Sequence, residues 1–419
     1  MKSARETALL ILYKTEFEGA YPNLELKTGL PSQMEQRDKS FVTALVYGVI
    51  SKRLTLDYII EQHSKIKLKK LSKYIHLILR MGLYQIFFMD KIPQSAAVNE
   101  SVKLARRYGH GASAGFVNGL LRNAAKSEIK YPKDRLEYLS VKYSFSIWLC
   151  EKWVSDFGYK FTEKMLIAFD KEPELILRPN TLKTTVKDLA QELNKRGIEL
   201  KIEENAIYCH NLNVGADDLY KNGMYTVQDK AAMTAAEVLM PNEGETVIDM
   251  CAAPGGKTTH MAEMMQNKGK ILAFDIHEHK IKLIEENAKR LGIDIITAKV
   301  CDAFEFNSEL EGIADKILCD VPCSGLGIIR RKPDIKWHRS SDDDFGQIQY
   351  KILNNAAKYL KNKGQILYST CTIEREENEE VIQKYLNDNK SFTKIYEKTF
   401  YPHIDGTDGF YICKLEKND

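Results

Sequence analysis

Two cysteines in the C-terminal half of this chain stand where a thiol could do chemistry. Cys323 lies in Asp320-Val321-Pro322-Cys323-Ser324-Gly325-Leu326-Gly327, and Cys371 lies between Thr370 and Thr372, after the strand-like run of residues 365–369. A free thiol has a pKa near ~8.5, so only a small fraction is thiolate at neutral pH, but that fraction is a potent nucleophile. The bland alternative for either residue is a small buried hydrophobe, since free cysteine is among the most buried residue types. Two such residues at the ends of successive strand-like runs, with the Asp320 carboxylate close by, fit a nucleophile working with an acid–base partner.

A second constellation precedes them. The strand-like ETVIDM runs into Cys251-Ala252-Ala253-Pro254-Gly255-Gly256-Lys257-Thr258 and then a helical pattern. Small residues and two glycines between a strand and a helix let backbone approach a ligand, with helix N–H groups facing it. The stretch is neither G-x-G-x-x-G nor a Walker A loop, which would need glycine where Cys251 stands, so a nucleotide triphosphatase is disfavoured. Asp275 ends the next strand, where a ribose diol is commonly held, and Asp302 follows the third, placed to meet an adenine edge. Asp320 closes the same cleft on the side of the cysteines. An adenosine-type cofactor without a phosphate-binding lysine loop points to S-adenosylmethionine rather than a dinucleotide.

Positioning these groups requires strands that end side by side. ETVIDM, KILAFDI, IITAKV, DKILCDV and GQILYST alternate with helical patterns from about residue 231 onward, which predicts a doubly wound parallel sheet with ligands at the carboxyl ends of its strands. The first ~130 residues read as helices: Val98, Val102 and Ala105 mark one apolar face, which Gly109 and Gly111 end. Between them, residues 131–230 read as a helical, aromatic stretch followed by a small α/β module. The expected organisation is therefore multidomain: an all-α domain over 1–130, a small α/β linker module over 131–230, and an α/β Rossmann-like domain over 231–419.

Charge is uneven along the 419 residues: 1–130 carry 21 Lys+Arg against 11 Asp+Glu, and 131–419 carry 40 against 47. A basic first part on a chain of net charge +3 suggests a polyanion partner. Lys65, Lys67, Lys69, Lys70 and Lys73 form either a phosphate grip or a solvated face. Arg178, Lys183 and Tyr225, and then Arg330, Arg331, Lys332, Lys336 and Trp337, supply the mix of cations and aromatics that contacts to RNA would need. Asp342, Asp343 and Asp344 read as a helix N-terminal cluster rather than a metal site, and the glutamates of EREENEE as a solvated helix face. The eight cysteines form neither a disulfide framework nor a zinc pattern, which implies a reducing, cytoplasmic setting and no metal. No apolar run approaches the ~18 residues of a membrane span, and no signal peptide is evident.

The stretches DKSFVTALVYGVI and PQSAAVNESVKLARRYGHGASAGFVNGLLRN resemble the NusB family of RNA-binding helical domains. CAAPGGKT, DVPCSGLG, RRKPDIKW, YSTCTIEREENEE and DGFYICKLE resemble the RNA cytosine-5 methyltransferases, and RPNTL and Val227-Gln228-Asp229 match more loosely. Together the two parts resemble the Sun/Fmu type of bacterial 16S ribosomal RNA cytosine-5 methyltransferases. The resemblance implies a class I methyltransferase fold, S-adenosylmethionine as methyl donor, and 16S rRNA as partner; neither DNA nor membrane is expected, and the chain is taken as a monomer without any sequence feature that fixes its oligomeric state. It also implies that Cys371 adds to cytosine C6, that Asp320 bonds the base edge, and that Cys323 assists release. Two other readings stay open: a transfer-RNA or 23S rRNA enzyme of the same chemistry, and a non-catalytic NusB-like RNA-binding factor.

Overall fold

A computed structural model describes residues 2–210 and 212–418. The chain forms two compact units, one comprising residues up to Asp170 together with Lys332–Ser341, the other Lys171–Arg331 with Asp342–Asp419.

The first unit is helical. Its most apolar helix, Lys73–Phe88, starts at Ser72, whose hydroxyl accepts from the Ile75 amide, and buries Leu77, Ile78, Leu79, Met81 and Leu83. Around it lie Ala4–Phe17, Gln36–Ser51, Arg53–His63, Gln94–Tyr108 and Ser113–Ala124. Close crossings depend on missing side chains: a Cβ on Gly48 would meet the Tyr84 ring at 1.9 Å. Arg80 is buried in this core, its guanidinium donating to both carboxylate oxygens of Asp57 and to Glu16, each at 2.6 Å. The helices Arg135–Tyr143, Ile147–Phe157 and Tyr159–Phe169, which the sequence groups with the middle segment, belong to this unit as well. The Lys65–Lys73 lysines stay exposed around a short 3-10 turn over Leu68–Lys70.

Lys332–Ser341 completes the unit. The Trp337 indole Nε1 donates to the Ile50 carbonyl and the Lys336 ammonium to the Ser51 carbonyl, both at 2.7 Å. These are among the last carbonyls of Gln36–Ser51, left without partners inside the helix and met here by side-chain N–H donors. Lys336 also lies 4.3 Å from the Phe145 ring centroid and is only 3 % exposed. The expectation of RNA contacts at Lys336 and Trp337 is therefore corrected: both are structural.

Burial, followed by repulsion from Lys52, pulls the Lys336 amine down to about 7 from 10.5. Between those two pH values the unfolded chain holds a proton that the folded one does not, so stability of this unit should rise with pH across the window. The slope is at most ~1.4 kcal/mol per pH unit. All three tryptophans of the sequence, Trp148, Trp153 and Trp337, lie in this unit, so denaturant unfolding followed by indole fluorescence reads it alone. Lys336→Met is expected to flatten the slope; an unchanged slope would show that another group causes it.

The second unit holds two sheets. The smaller comprises β1 (Leu175–Pro179), β2 (Leu200–Glu203), β3 (Ala206–Cys209) and β4 (Tyr225–Val227) in the order β2-β3-β1-β4, antiparallel throughout. The helix Val186–Lys195 covers it, burying Leu189 and Leu193 against Leu177, Ile207 and Tyr225. The larger comprises β5 (Thr246–Asp249), β6 (Lys270–Asp275), β7 (Ile296–Val300), β8 (Ala314–Asp320), β9 (Leu360–Thr370), β10 (Phe392–Phe400) and β11 (Phe410–Lys417). Its order is β10-β11-β9-β8-β5-β6-β7. The five expected parallel strands are present, and β11 and β10 extend them as an antiparallel ribbon beyond β9. Strand order reverses between β5 and β8, which makes their carboxyl ends the place for a ligand.

Candidate active site

The strand ends β5 to β9 carry the site. β8 and β9 are parallel neighbours with Asp320 in register with Ser369, so the segments that follow them emerge together. This brings the Cys323 and Cys371 sulfurs to 3.1 Å, and the Cys371 amide donates to the Cys323 sulfur at 3.3 Å. Asp320 is fixed beside them: one carboxylate oxygen accepts from Ser369 Oγ and the other from the Lys257 ammonium, both at 2.7 Å. Burial acts to lower the Lys257 pKa, but the charges of Asp320, Cys371 and Asp249 more than offset it, so this ammonium keeps its proton. The Cys323 thiol is held well above its ordinary range, first by its hydrogen bond with Cys371 and then by burial. Either sulfur can be the donor in the hydrogen bond between them.

Both cysteine segments are clamped. Glu377, 5 % exposed, accepts from the Ser324 amide at 2.8 Å and from Gln349 Nε2 at 2.9 Å, and the same Gln349 nitrogen donates to the Pro322 carbonyl at 3.0 Å. Asn378 accepts from Thr370 Oγ1 at 2.6 Å and donates to the Thr372 carbonyl at 3.2 Å, straddling Cys371. Gly327 packs against Gly409 so closely that a Cβ would meet the Gly409 carbonyl oxygen at 1.9 Å, and its amide donates to the Cys371 carbonyl. Glu377 corrects the expectation of a solvated face in EREENEE. Glu377→Ala would leave the Ser324 amide without its buried acceptor, a defect of ~1–3 kcal/mol. Freeing the Cys323 segment should lower kcat about 100-fold, as small misplacements at reacting groups do, with affinity for the methyl donor unchanged by calorimetry.

On the other side of Asp320 a cavity of about 560 Å³ opens, within the range of cofactor pockets. Of the residues singled out for the cofactor, Cys251, Ala253, Asp275, Asp302 and Asp320 line it. Ala252, Pro254, Gly255, Gly256 and Lys257 do not line it but shape the loop and first helical turn behind it. Gly255, at φ +100°, caps the helix Gly256–Met264, and a Cβ there would press on Ile284 at 3.3 Å. Thr258 Oγ1 ties that turn to Asp249 at 2.7 Å. Burial pushes the Asp249 carboxyl up to about 7, with Thr258 opposing.

The lining also includes Met250, Ile276, Phe304, Ile348 and Ile352, which the sequence reading missed. Only the position of Ile276 and Phe304 just past strands β6 and β7 signalled them. Apolar walls suit a purine, and Asp275 suits a diol. The one lysine in the lining, Lys280, is paired with Asp275 at 3.4 Å, so nothing is set out for a phosphate chain. S-adenosylmethionine fits this donor set. Cys301 also lines the cavity, whereas Cys150, Cys209, Cys319 and Cys413 are buried, the bland outcome for a cysteine. Among the described residues no cluster of His, Cys, Asp or Glu could hold a metal, and no helix is long and apolar enough to cross a membrane.

Arg178, Lys183 and Tyr225 take packing roles, one of the two readings open from the sequence; for Arg330 and Arg331 the expected RNA contact is corrected, while Lys332 is exposed. Arg330 and Arg331 pair with Asp408, and Arg331 also with Asp229; Arg178 and Tyr225 are buried, and Lys183 donates to the carbonyls of Asn222 and Arg290. These groups hold the fold around the site.

Family models match three stretches of the chain, and the ferredoxin-like one runs through residue 170, where the main segment of the first unit ends. The model of the 16S rRNA methyltransferase RsmB/F family matches residues 236–416, that of the NusB family residues 2–126, and a ferredoxin-like domain of RsmF/B-like methyltransferases residues 145–214. The probable ribosomal RNA small subunit methyltransferase B of Bacillus subtilis (strain 168) is 36% identical, with 99% of each chain covered. Its namesake from Synechocystis sp. is 34% identical over 100% of both. Among solved structures, PH0851 superposes with a TM-score of 0.83 at 29% identity over 99% of this chain and 98% of its own. A methyltransferase homolog protein from Pyrococcus horikoshii gives 0.61 at 28% identity over 68% of this chain and 99% of its own. With catalytic-domain, NusB and ferredoxin-like matches in one chain and full-length relatives above 30% identity, the chain belongs to the 16S rRNA methyltransferase RsmB/F family, which are S-adenosylmethionine-dependent RNA methyltransferases.

Proposed function

We infer that this chain methylates C5 of a cytosine in 16S rRNA through a covalent bond between Cys371 and C6 of the base. The observation that carries the reading is the pair of sulfurs 3.1 Å apart beside Asp320, which also lines a cavity of about 560 Å³.

Cytosine C5 is a poor nucleophile. Addition of the Cys371 thiolate to C6 breaks the C5–C6 double bond and moves its electron pair to C5. Asp320, immobilised by Lys257 and Ser369, retains free lone pairs to bond the base edge and hold at N3 a proton that solvent supplies as charge develops on the ring and takes back when the product is released. When bound, S-adenosylmethionine supplies the electrophilic methyl group that C5 receives. The C5 proton must then leave, its electron pair restoring the double bond as the C6–S bond breaks and Cys371 regains its thiolate. Cys323 is the base. Before reaction, its hydrogen bond with Cys371 is the foremost cause keeping its proton on. Once the Cys371 sulfur is bonded to carbon that hydrogen bond is lost; Cys323 then gives its proton to solvent, and its thiolate takes the C5 proton.

The base has to be unstacked to reach Cys371, which costs a few kcal/mol in a duplex and less in a loop. The basic helical unit supplies the RNA affinity. Incubation with S-adenosylmethionine tritiated on the methyl group and purified 16S rRNA, 23S rRNA and transfer RNA tests the reading. Label confined to 16S rRNA, mapped to 5-methylcytosine by bisulfite sequencing, supports it. Label only in transfer RNA or 23S rRNA rejects the substrate, and no label above a Cys371→Ala control favours a binding factor.

A further inference from the structure

Arg178 is the last residue before Pro179 at the end of β1, in the small sheet, yet its guanidinium ends on another element altogether. It donates to the Gly256 carbonyl at 2.8 Å, to Thr259 Oγ1 at 3.2 Å and to Glu263 Oε1 at 2.9 Å, and also to Gln228 Oε1. Gly256, Thr259 and Glu263 recur at spacings of three and four, so they share one face of the helix Gly256–Met264 over two turns. Arg178 is 2 % exposed and Glu263 1 %, so the grip is not shared with water. Gln228, whose amide donates to the Ile176 carbonyl of β1, fixes the guanidinium from behind.

That helix begins where the cofactor loop ends. Cys251 and Ala253 of the loop line the cavity, and Gly255 caps the helix. Thr258 and Lys257 bind its first turn to the large sheet, through Asp249 and Asp320. Arg178 holds it from the small sheet. Sliding the helix would carry the loop with it, and without Arg178 the helix loses its hydrogen bonds to the small sheet.

We propose that Arg178 is a positioning residue for S-adenosylmethionine: by fixing the helix Gly256–Met264 it sets the Cys251–Ala253 wall of the cofactor cavity without lining it. The small sheet then serves the cofactor site as well as the chain's architecture. The inference rests on assigning the cavity to the cofactor. Arg178 acts as a fork, which lysine, a point donor on a flexible stem, does not reproduce.

The test uses the full chain. In Arg178→Lys, the dissociation constant and KM for S-adenosylmethionine are expected to rise about 10-fold or more, with kcat at saturating donor within about 2-fold and KM for RNA unchanged. A purely structural role would instead lower the active fraction, cutting kcat and leaving KM for the donor in place; that result overturns the proposal. Arg178→Met with Glu263→Gln removes both buried charges and keeps the question answerable if the single variant does not fold. Wild-type donor affinity in that folded double variant also overturns it. Asp275→Ala, in the cavity wall, is the control: if it binds the donor as tightly as the wild type, the cavity assignment fails, whereas normal weakening there with no effect at Arg178 rejects the positioning role alone.

Discussion

Cys371→Ala is expected to abolish methyl transfer, lowering turnover by ~10⁴-fold or more, because on the proposed route Cys371 is the thiol that makes C5 nucleophilic. Cys323 is the sulfur in contact with Cys371, but its thiol is held well above its ordinary range by that hydrogen bond and by burial, so it is not a ready substitute. Losing the partner removes the foremost of those two causes and leaves burial, which still disfavours the thiolate. The variant should bind S-adenosylmethionine with wild-type affinity, since Cys371 does not line the cavity. It should also give no RNA-linked band on a denaturing gel. Stability should change little, as alanine replaces a small side chain at a half-buried position. Measured by tritium transfer with saturating donor, residual activity above one per cent of wild type would remove Cys371 from the role of nucleophile.

Cys323→Ala is expected to have the opposite chemical signature: multiple turnover falls by roughly 100-fold to 10⁴-fold, while a covalent protein–RNA adduct accumulates. Addition at C6 and methylation at C5 need only Cys371 and Asp320, so one round proceeds. Removal of the C5 proton needs a base on the far side of the pair, and alanine supplies none. The adduct should survive denaturation, carry one methyl per chain, and shift the protein on a gel by the mass of the RNA. The geometry also states how the opposite result would look: an adduct in Cys371→Ala and none in Cys323→Ala would exchange the two roles. A 3.1 Å separation allows either sulfur to reach a ring placed between the segments, so the gel, not proximity, distinguishes them.

Much of this site was legible because it obeys a local rule. Each reactive group stands at the carboxyl end of a strand whose apolar run is continuous in sequence, as parallel strands covered on both faces must be. Counting βα units places Asp320 and Thr370 on neighbouring strands, and register then brings the segments after them together. What escaped depends on contacts between distant residues. EREENEE is acidic enough to read as solvated, yet Glu377 turns inward to accept from the Ser324 amide, 53 positions earlier, and from Gln349. Arg178 and Tyr225 carry RNA-binding chemistry but spend it inside the protein, Arg178 on a carboxylate 85 positions away. β10 reads FTKIYEKTF, with charges at alternate and adjacent positions that suit a half-exposed edge strand and weaken any signal for a core one. Residues 332–341 show no sign in sequence of belonging with the helices, since Trp337 and Ile50 are 287 positions apart.

That decapeptide bears on how such a molecule can be taken apart. The helical half is in effect a split protein: its last piece arrives from a loop within the gene segment encoding the other half, and the chain crosses between the two units at residues 170, 331 and 341. No single scissor cut therefore liberates it whole. A fragment ending at residue 170 would present bare carbonyls at Ile50 and Ser51 and an empty niche beside Phe145, and fragment libraries or domain swaps would succeed only if a peptide spanning 332–341 were added back or grafted on.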